Sequence, residues 1–170
     1  MSNVNENGKT QMIKVGDRIP SVNLRQVTDT GVQEISTDDF FKGKRVALFA
    51  VPGAFTSTCS AKHLPSFANN ADALKGKGVD AIACTSVNDA AVMRAWGEHS
   101  NTAGKVTMLA DGNGDFARAV GAEADMSKNG MGRRSRRYSM LVENGVVKQL
   151  NVEEPGAFGV SSGDHLLTQL

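Results

Sequence analysis

Apolar residues come in short bursts along this chain, and their spacing switches between two periods. Residues 45–51 (RVALFAV), 79–85 (VDAIACT) and 106–110 (VTMLA) are compact apolar runs bounded by Gly, Pro, Asp or Asn, so each predicts a buried strand. The segments between them follow the helical period. Leu64, Phe67, Ala71 and Leu74 share one face of a helix predicted over 58–75 and bent at Pro65. Val92, Met93 and Trp96 belong to a second helix capped at Asn88-Asp89, and a third runs to Ala119 after the turn over 111–114. Strands alternating with helices predict a mostly parallel sheet covered on both faces, an α/β fold.

The two ends of the chain read differently. Near the C-terminus, 138–143 and 146–150 flank Asn144-Gly145, a two-residue hairpin signal, so this edge of the sheet is predicted antiparallel and the sheet as a whole mixed. A closing helix is predicted over 162–170. Near the N-terminus, 13–24 reads as an edge or irregular strand broken by Gly16 and Pro20, 32–35 as a short strand, and 37–41 as a helical turn ended by Gly43. Residues 1–11 are polar and predict a flexible tail ahead of a single domain over 12–170.

Composition narrows the function classes. With 40% hydrophobic and 22% charged residues, a chain of 170 residues has enough apolar side chains for a full core. A net charge of +1, from 19 basic and 18 acidic residues, gives no global field for nucleic acid or an anionic membrane. The sequence shows no apolar stretch of membrane-spanning length and no export signal, so a soluble cytoplasmic protein is expected. Cys59 and Cys84 are too few for a disulfide framework, which fits a reducing compartment, and three scattered histidines do not suggest a zinc site.

The chemistry concentrates in VPGAFTSTCSAKHLPSF, residues 51–67. A strand ends there, Pro52-Gly53 turns the chain, and Thr56, Ser57 and Thr58 are all competent to cap the next helix, which puts Cys59 in its first turn. Unpaired amides and the positive end of the helix dipole favour an anion at that place, so a reactive thiolate is expected. Thr56 places a hydroxyl three residues before the sulfur, and His63 lies four residues after it on the same predicted face, as a charge neighbour, general base or pocket-lining group. The competing view of a lone cysteine as a small buried filler loses ground to this flanking pattern.

The P-x-x-x-T-x-x-C of Pro52, Thr56 and Cys59 closely resembles the active-site segment of the type II, or peroxiredoxin-5-like, peroxiredoxins, and the likeness extends from about Gly16 through most of the chain. The resemblance implies a thioredoxin-like mixed sheet with helices on both faces and an N-terminal extension. It implies a thiol peroxidase without metal or organic cofactor, acting on hydrogen peroxide and small alkyl hydroperoxides. Cys59 would be the peroxidatic nucleophile, Thr56 would bond the sulfur or peroxide, the Thr58 and Cys59 amides would face the peroxide, and Pro52 would shield the site. Of Arg133, Arg134, Arg136 and Arg137, usually a solvated cluster, the alignment selects Arg137 to stand against Cys59.

The resemblance leaves the regeneration step open. FGVSSGD, residues 158–164, carries serines where some family members carry a resolving cysteine, and Ser57 replaces a common proline. Cys84 is the sole alternative thiol and lies in a predicted core strand, so direct reduction by glutathione, with or without glutaredoxin, or by thioredoxin is expected. A homodimer with Phe55 and Trp96 near its contact is implied. The alternative is a redox-sensing or chaperone-like protein that uses the same sulfenic acid as a signal.

Overall fold

The computed structural model describes residues 11–170, so the expected tail lies, but for Gln11, outside the described residues. Seven strands form one sheet, in the spatial order β2 (Gly31–Ser36), β1 (Asn23–Thr28), β5 (Thr107–Ala110), β4 (Ala81–Ser86), β3 (Arg45–Ala50), β8 (Tyr138–Glu143) and β9 (Val146–Val152). Its centre is the parallel set β3 (Arg45–Ala50), β4 (Ala81–Ser86) and β5 (Thr107–Ala110), as the three apolar runs predict. On one side, β8 (Tyr138–Glu143) and β9 (Val146–Val152) add antiparallel to β3, through the hairpin at Asn144-Gly145. On the other, β1 (Asn23–Thr28) pairs antiparallel with both β5 and β2 (Gly31–Ser36). The expected strand over 13–24 therefore begins ten residues later, because the Gly16 and Pro20 stretch forms only an isolated bridge before it.

Strand alternation sorts the core into two layers. Ala47, Phe49 and Val51 of the β3 region, with Ile82, Cys84, Met108 and Leu141, face α2 (Leu64–Asn69), α3 (Ala71–Gly76), α4 (Ala90–His99) and α6 (Gly163–Thr168). Val46, Leu48 and Ala50, with Ala83, Leu109, Tyr138 and Met140, face α1 (Thr37–Phe41) and α5 (Asp115–Ala119). Helices thus cover both faces of a mixed sheet, and the side-chain period of two decides which residue meets which layer. Trp96 lies in the first layer with no exposure, so it is core and offers nothing to a partner surface.

The helix expected over 58–75 is three pieces. Cys59–His63 is a π-helical turn in which Leu64 N–H donates to the Cys59 carbonyl, five residues back. Pro65 follows at the start of α2, where a missing N–H is tolerated. The break between α2 and α3 falls at Asn70, whose side-chain amide donates to the Ser66 carbonyl at 2.7 Å and competes there with the main-chain ladder. The arginine cluster also departs from a plain loop. Arg133–Ser135 is strand β7, paired antiparallel with β6 (Glu123–Asp125), and only Arg133 is a largely exposed side chain, 68% accessible and ion-paired to Glu123.

Candidate active site

Thr56 caps the helix. Ser60 N–H donates to the Thr56 carbonyl at 2.9 Å, which makes Ser57, Thr58 and Cys59 the first three helical residues, and Thr58 already has helical angles (φ −68°, ψ −37°). The amides of these three residues precede the hydrogen-bond ladder and stand free for an anion or a substrate oxygen. The Thr56 hydroxyl donates to the Gly53 carbonyl at 2.7 Å and so leaves its lone pairs, and not its proton, for a third group. That bond closes the Pro52-Gly53 turn over the helix start.

The turn is braced from two sides. Asn88 Oδ1 accepts from Ala54 N–H at 3.0 Å and from the Ser86 hydroxyl at 2.6 Å, while Asp89 alone caps α4. Gly53 lies against the β6–β7 hairpin, since a side-chain carbon there would come within 3.1 Å of the Met131 methyl. Phe55 sits in the left-handed region (φ 64°), a strained place for an aromatic residue, with its ring half exposed beside His99.

Cys59 is buried, and its sulfur accepts a hydrogen bond from Arg137 Nη2 at 3.0 Å. A guanidinium donor at that distance favours an anionic sulfur, because a charge-assisted bond is stronger than one to a neutral thiol. Arg137 enters from the strand next to β3, one residue before β8 (Tyr138–Glu143), whose start lies beside the end of β3 in the register Ala50↔Tyr138. Strand pairing therefore brings two residues 78 positions apart into contact.

His63 holds the other end of that arginine. Arg137 Nη1 donates to His63 Nδ1 at 2.8 Å, and since guanidinium nitrogens do not accept, the imidazole proton sits on Nε2, which donates to the Ser161 carbonyl at 2.9 Å. Burial, and then the Arg137 charge, push the His63 pKa down to about 3, so the ring is neutral at working pH. With both nitrogens engaged it has no free lone pair for base chemistry. Its ring packs on Phe49 (centroids 4.9 Å apart) and Phe158 (5.2 Å), and Phe49 in turn stacks on Phe67 at 4.1 Å.

The structure therefore brings Cys59, His63 and Arg137 together through direct hydrogen bonds, with Thr56 and Thr58 at the same helix start and Pro52, half-buried, in the turn before it. Cys84 stands apart. It lies in β4 between Phe49 and Met108, fully buried, and burial first, then the neighbouring Cys59, push its thiol well up, so it stays protonated. Ser161 and Phe158 were not foreseen in the sequence, and neither was Asn88 as a brace. Ser161 and Phe158 belong to a serine and glycine segment with no periodicity, and Ser161 contributes a carbonyl that any residue would offer.

The cysteine at the head of a helix meets an arginine from a neighbouring strand of a thioredoxin-like sheet, and the chain belongs to the Redoxin family, whose profile matches residues 14–167. Within that family it is a type II peroxiredoxin. Peroxiredoxin-2E-2, chloroplastic, of Oryza sativa subsp. japonica is 49% identical over 163 residues, which span 93% of this chain and 72% of that protein. The reduced Prx3 of Vibrio vulnificus in complex with hydrogen peroxide superposes with a TM-score of 0.89 at 50% identity, covering 93% of this chain and 99% of that one. Peroxiredoxin 5 of Alvinella pompejana gives 0.81 at 37% identity, covering 92% and 96%.

Proposed function

We propose that Cys59 is the peroxidatic nucleophile of this thiol peroxidase, with hydrogen peroxide and small alkyl hydroperoxides as substrates. The 3.0 Å bond from Arg137 to the sulfur carries this reading. The thiolate attacks one peroxide oxygen, the O–O bond breaks, and its electron pair leaves with the other oxygen, which takes a proton to become water or an alcohol. Cys59 is left as a sulfenic acid. Arg137 and the free amides of Thr58 and Cys59 stabilise the charge that develops on the departing oxygen. The Thr56 hydroxyl, whose proton is committed to Gly53, accepts from the peroxide O–H and orients it. Pro52 excludes bulk water, and the Vibrio vulnificus relative, described with hydrogen peroxide bound, supports the substrate assignment.

Glutathione with glutaredoxin, or thioredoxin, is the proposed reductant. A first thiol condenses with the sulfenic acid to a mixed disulfide and water, and a second thiol releases Cys59 and leaves as the external disulfide. Cys84, protonated and enclosed in the sheet, is a poor resolving thiol. Cys84→Ala is expected to keep steady-state peroxide consumption within about twofold of wild type, since only a thiolate attacks. Two free, buried thiols fit a thiol-rich reducing compartment such as the cytoplasm. The half-exposed Phe55 ring, set on the active-site turn, is the apolar surface that a second copy would cover in a homodimer.

The decisive experiment is single-turnover reaction of the reduced protein with hydrogen peroxide, followed by mass on rapidly quenched samples. Sulfenic acid at Cys59 in the wild type, and none in Cys59→Ser, is the expected result. Slow oxidation spread equally over both cysteines would refute the assignment.

A further inference from the structure

Glu153 follows β9 and is almost fully buried (4% exposed), although no ion-pair partner stands against it among the described residues. Its carboxylate faces inward to a turn that has no regular structure. Glu153 Oε1 accepts from Gly159 N–H and from Ser161 N–H, both at 2.9 Å. The same Ser161 presents its carbonyl to His63 Nε2 at 2.9 Å, and His63 Nδ1 takes the Arg137 Nη1 proton at 2.8 Å. The main chain closes the circuit, because Glu153 N–H donates to the Arg137 carbonyl at 3.0 Å. One residue thus fixes both the backbone of the arginine and, through two intermediates, its guanidinium.

We infer that Glu153 is a positioning residue for the peroxide reaction, which it serves by ordering the 158–161 turn that holds His63 and, through His63, Arg137 against Cys59. The inference rests on the proposed role of Arg137 at the sulfur. Irregular loops are mobile unless their amides find partners, and this one carries Gly159 within it and Gly156 just before it. The carboxylate supplies two acceptor positions from within the fold, where water has little access. It also explains why the ring of Phe158, 5.2 Å from His63 and 6.0 Å from the Arg137 guanidinium carbon, lies on the site as a cover. Without the carboxylate the turn loses its anchor, Ser161 drifts, and the arginine is free to adopt other rotamers.

The experiment measures the second-order rate constant with hydrogen peroxide for wild type, Glu153→Ala, Glu153→Gln and Arg137→Ala, all at a temperature where circular dichroism shows them folded. Glu153→Ala is expected to slow the reaction by roughly 10- to 100-fold, the range for a displacement of about 1 Å at a reacting group. Glu153→Gln, whose amide oxygen accepts from the same two N–H groups, is expected to restore most of the rate. A purely structural residue would not give the next result. In a His63→Leu background, Glu153→Ala should add little, because the link it acts through is already cut. The downfield Nε2 proton of His63 in the NMR spectrum should vanish in Glu153→Ala and persist in Glu153→Gln. A wild-type rate for Glu153→Ala, or a full multiplicative loss on top of His63→Leu, overturns the inference. Should Glu153→Ala fail to fold, Glu153→Asp shortens the reach by one methylene, so a slowed reaction supports the inference and a wild-type rate overturns it. A wild-type rate for Arg137→Ala would instead refute the role of the arginine itself.

Discussion

Arg137 divides its donors between a sulfur and an imidazole, one nitrogen to each, with the two acceptors held at 3.0 and 2.8 Å. A lysine carries the same charge but a single rotatable head, and cannot satisfy both groups in that plane. Arg137→Lys is therefore expected to fold and to react with hydrogen peroxide roughly 10- to 100-fold more slowly, the equivalent of losing one charge-assisted hydrogen bond. Stopped-flow or rapid-quench rate constants check this. The place of Cys59 and Thr56 at a helix start was legible from local spacing, whereas Arg137 was singled out only by resemblance, since its contact with the sulfur comes from strand pairing 78 positions away. Ser161 was not, since its contribution is a main-chain carbonyl. His63 was only half legible. Its helical spacing to Cys59 places it correctly, but the neutral tautomer with both nitrogens occupied depends on an arginine 74 positions away.

At the scale of elements, the α6 helix is docked beside α2 by apolar packing of Leu166, by the Asn70–Asp164 hydrogen bond and by one serine that bridges the two backbones. Ser66 Oγ donates to the His63 carbonyl at 2.7 Å and accepts from Gly163 N–H at 3.0 Å, and a Cβ on Gly163 would come within 2.4 Å of the Ser66 carbonyl oxygen. Backbone meets backbone here, so a glycine is required. Gly163→Ala should lower stability by about 1–3 kcal/mol, the usual cost of overpacking, which for a chain of this size is a Tm loss of roughly 2–4 °C per kcal/mol. Calorimetry reads it. The strands of the central sheet were legible from apolar bursts, since a strand buried on both faces has few other ways to be written. The π-helical turn was not, because its cause is spread over Pro65, which withholds an N–H, and over tertiary contacts of His63 that local periodicity does not encode.

For the whole molecule, the depressed His63 ties stability to acidity. The unfolded chain takes up a proton at this residue below its ordinary value near 6.5, while the folded protein refuses it until about pH 3. The unfolded state binds more protons across that window, so stability is full above pH 6.5 and is lost as the pH falls toward 3, by up to about 1.4 kcal/mol per pH unit. Denaturant melts of wild type and His63→Gln at several pH values should diverge in slope over that window and run parallel above it. Asp111 acts with the opposite sign, since burial raises its pKa, and the difference between the two proteins cancels its contribution. A last consequence follows from Trp96, the one tryptophan in the chain, whose indole N–H donates to Ser60 Oγ at 2.9 Å, next to Cys59. The protein thereby carries a built-in lamp wired to the reactive turn. Any step that unwinds residues 59–63 breaks that bond and changes the emission, so the catalytic cycle can be watched by light without a label.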